Sequence, residues 1–246
     1  MSNLNYGFDE PLSEGLILKR TSQFKIDVKV KGKDWACHCP TTGRIGNIEL
    51  AKRPCLLSKS SDPNRKTPYT VEAVSLNQPK DVEKSWIGIN QNAVNRYVEY
   101  YLKNGAFSKM VGKSVSVQRE QVLGVSKLDF LVGDTYLEVK MPLQTLQVSI
   151  PDYVKTRKTT PLSSTDRFVK HITELANSLK SHQRAILLLC FLYNNPGFEV
   201  IERSTNYEQV SNAVNKSKST GVESWQANFN ITPNGVELVK YFKISI

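Results

Sequence analysis

Cysteine is scarce: the 246 residues hold four, Cys37, Cys39, Cys55 and Cys190. Cys37-His38-Cys39 is too tight for a usual zinc pair, and no second pair accompanies it. The four therefore read as reduced core or strand cysteines of a cytoplasmic protein. Long apolar runs are missing too. The longest, Ala185 to Tyr193, has the length of a strand, so no membrane span is expected. The N-terminus, MSNLNYGFDEPLSEG, is acidic and polar and does not read as a signal peptide. There is no internal repeat, no low-complexity segment and no helix-turn-helix pattern, which argues against sequence-specific reading of a major groove. Negative charge is in deficit: 23 Asp and Glu against 33 Lys and Arg leave a net charge of +10 and a pI near 9.4. That balance favours a polyanionic partner, nucleic acid first. With 39% hydrophobic and 23% charged residues, the composition is that of a globular protein of one large domain or two small ones.

The pattern from Leu16 to about Val74 is all-β. Phe24 to Val30 alternates strictly, a Lys31-Gly32-Lys33-Asp34 turn follows, and Trp35 to Cys39 forms the next strand. Pro54 to Ser58 and Tyr69 to Val74 are two more. Short strands and polar turns over about 70 residues predict a small OB-like β-barrel. Its basic loop, Lys59 to Pro68, carries Arg65 and Lys66, and such loops can follow a nucleic-acid backbone. Residues 1–15 read as a loose arm, and 75–84 as a linker. The expected division is 1–85 for arm and barrel and 86–246 for a second, α/β domain.

In that second domain, Val94, Tyr97, Val98, Tyr101 and Leu102 recur at helical spacing, with Glu99 beside the stripe. Glu99 is either surface charge or a further metal ligand. Val115, Val117 and Arg119 begin a strand. A second helix starts near Ser164-Thr165-Asp166, burying Phe168, Ile172, Leu175, Ala176 and Leu179. Arg167, Lys170 and His171 share a flanking face of it. They are either solvated charge, with His171 a surface imidazole, or a phosphate-holding cluster. Arg184 to Tyr193 reads as a central strand buried on both faces. A helix over 207–219 and two closing strands complete the chain.

The centre of this domain is Ser126 to Lys140, SKLDFLVGDTYLEVK. It predicts a β-hairpin with Gly133-Asp134 as a two-residue turn. Val132 then pairs with Thr135, Phe130 with Leu137, and Asp129 with Glu138. The two carboxylates would lie opposite each other, with Cβ atoms about 5 Å apart, a repulsive arrangement. Lys140 projects from the same face. A divalent cation, Mg²⁺ or Mn²⁺, would compensate the repulsion, and a neighbouring Lys could serve phosphoryl chemistry. The same three residues could equally form the solvated face of a hairpin.

The order helix, strand, strand, strand, helix, strand, with Asp-x8-Glu-x-Lys on the second and third strands, resembles the core of the PD-(D/E)xK nuclease fold. Across both domains the chain also resembles the sugar fermentation stimulation protein A (SfsA) family. The matching stretches begin with Leu18-Lys19-Arg20, His38-Cys39-Pro40-Thr41-Thr42-Gly43 and Asn64 to Tyr69. Asn95-Arg96 with Glu99, Leu128 to Phe130, Leu137 to Lys140, Pro151-Asp152, Arg167 to His171 and Gly221 to Glu223 follow in order. The resemblance implies an OB-type domain joined to a PD-(D/E)xK domain, and DNA binding. It places Asp129, Glu138 and Glu99 at the acidic metal positions and Lys140 at the catalytic lysine. Arg20, Arg65, Lys66, Arg167, Lys170 and His171 fall to nucleic-acid binding. The chain departs from the family at Thr41, where Asn is usual, and at Met141, where a small polar residue is usual. Two functions follow as expectations: a Mg²⁺- or Mn²⁺-dependent nuclease acting on DNA, or a non-catalytic DNA-binding regulator with a vestigial site.

Overall fold

The computed structural model describes residues 4–113, 116–124, 126–158, 161, 165–200 and 203–246. Val115 and Ser164, expected at the start of a strand and of a helix, lie outside these residues. In chain order the strands and helices are β1 (Tyr6–Gly7), β2 (Ser13–Ser22), β3 (Lys25–Val30), β4 (Lys33–His38), β5 (Pro54–Lys59), β6 (Tyr69–Val74), β7 (Ile87–Gly88), α1 (Val94–Lys103), α2 (Ser108–Val111), β8 (Val117–Leu123), β9 (Ser126–Val132), β10 (Thr135–Lys140), α3 (Asp166–Ser178), β11 (Arg184–Phe191), α4 (Tyr207–Thr220), β12 (Glu223–Thr232) and β13 (Gly235–Ile244).

Strands β2 to β6 close into the expected OB-like barrel. Their order is β4-β3-β2-β5-β6, and a parallel bridge from His38 to Thr70 shuts it. Alternation decides which side chains enter: Ile26, Val28 and Val30 are buried while Lys25 and Lys29 face water. Cys37, Cys39 and Cys55 are free thiols inside the barrel, and burial pushes the Cys37 thiol up to about 12. Strand β2, which the sequence pattern does not single out, is the seam between β3 and β5.

The second sheet is mixed, in the order β1-β13-β12-β11-β10-β9-β8. Strands β10, β11 and β12 run parallel and the other pairs antiparallel. Every residue of β11 after Arg184 is buried, as its continuous apolar sequence requires. Helix α3 packs over β9, β10 and β11, burying Ile172 and Leu175 fully and Phe168, Ala176 and Leu179 in part.

Three features join the two parts into one core. First, the described part of the arm, from residue 4 on, is not loose: β1 adds to β13, and Tyr6 meets the edges of Tyr97 and Tyr100 at ring distances of 4.9 and 5.5 Å. Second, β7 pairs with β6 of the barrel, while the Gly88 amide donates to the Leu192 carbonyl at the end of β11. Third, the segment after β10 straps back across the barrel. Gly46 N–H donates to Leu143 O (2.7 Å), Glu49 N–H to Lys155 O (2.8 Å) and Arg157 N–H to Asn47 O (2.7 Å). Gly46, at φ +57°, is required there, since a Cβ would stand 2.8 Å from the Leu146 side chain. Lys155 and Arg157 are thereby pinned to the barrel. Among the described residues no helix is long and apolar enough to cross a membrane.

Candidate active site

The hairpin forms as its sequence predicts. Gly133 takes φ +58° and Asp134 an ordinary negative φ, as in a II′ turn, and Val132 pairs with Thr135 and Phe130 with Leu137. One pair further on, the ladder ends. Asp129 does not continue the backbone pairing opposite Glu138; instead its Oδ2 accepts the Val139 amide at 2.8 Å. The carboxylate takes the place of a backbone acceptor where β9 no longer pairs with β10, while β10 stays paired with its parallel partner β11 along its whole length. Its Oδ1 accepts the Asn95 side-chain amide from α1 at 2.7 Å. Burial, and next the nearby Glu138 carboxylate, hold the Asp129 carboxyl above its ordinary range.

Glu138 is 1% exposed. Its Oε1 accepts from the Lys140 ammonium and from Nδ1 of His171. Its Oε2 is buried and meets no hydrogen-bond donor. An ionised oxygen left bare in the interior is costly. A divalent cation would satisfy it. Asp129 and Glu138 make an open, two-carboxylate oxygen set, the kind that holds Mg²⁺ or Mn²⁺ while leaving positions for water and phosphate. Among the described residues no group of three or more His, Cys, Asp or Glu side chains is gathered so as to hold a metal ion.

The other expected residues fall elsewhere. Glu99, one helical turn beyond Asn95, pairs with Lys103 at 2.7 Å and Arg119 at 3.2 Å. His171 is neither a surface imidazole nor grouped with the exposed Arg167 and Lys170; it is buried against Glu138. The period of 3.6 puts the three on neighbouring faces, and packing on the sheet draws the last one inward. Arg20 donates to the carbonyls of Thr41 (2.6 Å), Gly43 (2.8 Å) and Gln23 (3.0 Å), so it clamps the loop after β4. Arg65 and Lys66 stay in the polar loop of the barrel, Lys66 exposed and Arg65 half-buried with its positive charge near His38. Met141 is buried, and its carbonyl accepts the Gln91 side-chain amide at 2.8 Å.

A family profile described as the SfsA N-terminal OB domain matches residues 18–89, and one described as the sugar fermentation stimulation protein RE domain matches residues 92–235. The chain belongs to the sugar fermentation stimulation protein family. A homologue of that name from Synechococcus sp. (strain JA-2-3B'a(2-13)) is 30% identical over 98% of this chain and 96% of its own. Another, from Alcanivorax borkumensis, is 32% identical over 74% of this chain and 76% of its own. The structure described as Pyrococcus furiosus SfsA in complex with Ca²⁺ superposes with a TM-score of 0.77 over the whole of both chains, at 17% identity. The SfsA architecture, an OB-like barrel followed by a PD-(D/E)xK nuclease-like α/β domain, is therefore that of this chain.

Two features of this SfsA site were missed from sequence. Asn95 was matched only as part of a motif, yet it is the α1 residue that reaches Asp129. The His171–Glu138 contact spans 33 positions, and no local spacing announces it.

Proposed function

We propose that this chain is a nuclease that uses a divalent cation, Mg²⁺ or Mn²⁺, to hydrolyse phosphodiester bonds in DNA. The observation that carries this reading is the bare, buried Oε2 of Glu138, beside an Asp129 carboxyl held above its ordinary range by burial and, next, by Glu138. Glu138 and Asp129 would hold the cation, which supplies charge for the phosphodiester oxygens and polarises water for attack. The Ca²⁺ of the Pyrococcus furiosus relative supports a divalent ion in this fold. His171 and Lys140 both fix Oε1 of Glu138, so the second oxygen faces the site in one orientation. Because an ionised carboxylate only accepts, the His171 Nδ1 carries the proton in that contact. Lys140, part-exposed on the same strand, is the cation placed to steady an attacking water or the charge that develops on phosphorus oxygens. The net charge of +10 favours a polyanionic substrate.

Binding without cutting is the competing reading, and one observation favours it: Glu99 is drawn to Lys103 and Arg119, leaving two acidic groups rather than three. Cleavage of labelled single- and double-stranded DNA with Mg²⁺ or Mn²⁺ separates the two. The nuclease reading expects cutting by the wild type and a loss of at least a hundredfold in Glu138→Gln and Lys140→Ala. Binding with no cutting under either metal and strand form would leave the non-catalytic reading standing.

A further inference from the structure

The barrel is shut at one point only. β4 meets β6 at a single bridge, His38 with Thr70, so the edge of β4 from Lys33 to Cys37 faces β6 without pairing to it. Two aromatic rings stand in the seam this leaves. Trp35 of β4 meets Tyr69, the first residue of β6, at a ring distance of 5.7 Å with the planes inclined by 71°. Alternation puts Trp35 on the inward side of β4 with the fully buried Cys37, and its β3 partner Val28 is fully buried as well. An indole in that place would ordinarily complete the core. Trp35 is instead 37% exposed, the one tryptophan of three on the surface. An edge-on contact covers at most one face of such a pair, so a flat apolar surface stays open to water.

The flanks of the seam are cationic. Lys33 lies two residues before Trp35 on the same side of β4. Lys59 is the β5 partner of Tyr69 and shares its face. Arg65 and Lys66 come from the loop between β5 and β6, and Arg65 brings its charge near His38, at the bridge itself. Lys33, Lys59 and Lys66 are exposed, and none of the four cations forms an ion pair among the described residues. The acids nearby in sequence are occupied: Asp34 faces Lys29 at 3.9 Å, and Asp62 accepts the Asn64 amide of its own loop at 2.9 Å. Flat rings between unpaired cations are what a nucleotide strand requires, a surface for its bases and charge for its phosphates.

We infer that this seam is a stacking site for the unpaired bases of a single nucleic-acid strand, with Lys33, Lys59 and Lys66 along its phosphates. In a duplex each base lies between its neighbours and offers only an edge in a groove. Rings fixed in a seam therefore select the unpaired strand. The inference rests on the nucleic-acid part of the reading above and names the substrate class: single-stranded rather than double-stranded.

The test measures affinity in EDTA, where nothing is cut, for three labelled probes: a 12-nucleotide oligothymidylate, an abasic strand with the same number of phosphates, and a 12-base-pair duplex. The wild type should bind oligothymidylate about tenfold more tightly than the abasic strand, with its tryptophan emission quenched. Trp35→Ala should bind oligothymidylate about tenfold more weakly than the wild type and the other two probes equally well. Its salt slope should not change, because the ring neutralises no phosphate. Trp35→Phe, which keeps a stacking ring, should retain most of the affinity and lose the quenching. Equal affinity of wild type and Trp35→Ala for oligothymidylate, or an equal loss for all three probes, would overturn the stacking site and leave the nuclease reading untouched. Binding through Trp35 without cleavage when Mg²⁺ or Mn²⁺ is restored would leave the site standing and remove the nuclease reading. No binding of any probe by the wild type would overturn both. A thermal melt of each variant establishes that the comparison is between folded proteins.

Discussion

At the scale of single residues, Asp129 and Glu138 are held in a conflict. Both are carboxylates, both are withdrawn from water, and one Glu138 oxygen has no donor. Like charges facing across strands cost about 0.2–1 kcal/mol. Asp129→Asn should therefore stabilise the metal-free protein by roughly that amount, raising the melting temperature by about 1–3 °C in chelator. Asn95 can turn its own carbonyl toward the new amide, so the local hydrogen bonds survive. The sign with pH follows from the raised Asp129 pKa. Protonated Asp129 favours the folded state at low pH, and that contribution is lost as pH rises through the elevated value. The advantage of Asn should therefore grow with pH and vanish in acid. An Asn variant less stable than the wild type at neutral pH, in chelator, would show that the carboxylates do not repel.

The same scale explains which residues could be read from sequence. Glu138 and Lys140 follow from a two-residue turn and a period of two, because nothing long-range intervenes. Arg20 and His171 do not. Whether a cation faces solvent, a carbonyl or a carboxylate depends on what the fold brings opposite it. The carbonyls of Thr41 and Gly43 lie more than twenty residues from Arg20, and Glu138 lies farther still from His171.

At the scale of elements, the site exists because β9, β10 and α1 meet there. The β9–β10 ladder stops at Phe130–Leu137, β10 continues beside β11 in parallel, and α1 lowers Asn95 onto Asp129. Partners behind a metal ligand commonly contribute ten- to a hundredfold in metal affinity or activity. Asn95→Ala should raise the Mg²⁺ concentration needed for half-maximal cleavage by about tenfold, with the fold unchanged by circular dichroism. An unchanged metal requirement would show that α1 only packs there. Strongly patterned elements were legible: the alternation of β3, the apolar run of β11 and the helical stripe of α1 each have one local solution. The two-residue strand β1 was not: it is too short to carry a period and is strand only because β13 supplies its hydrogen bonds.

At the scale of the whole molecule, barrel and nuclease-like domain share one continuous core. The arm, β7 and the strap cross between them, so the sequence boundary near residue 85 marks a change of topology within a continuous packed interior. The excess of positive charge was legible as composition, but its placement was not: the cations beside the strap come from β2, the loop before β5 and residues 157–158, far apart in sequence.

The most direct measurement is a calorimetric titration of Mn²⁺ into chelator-stripped protein, wild type against Glu138→Gln. A metal centre at this site requires saturable binding by the wild type and none by the variant, while both melt cooperatively. Binding of equal strength by the two proteins, or by neither, would contradict it and leave the bare oxygen of Glu138 without the partner its burial demands.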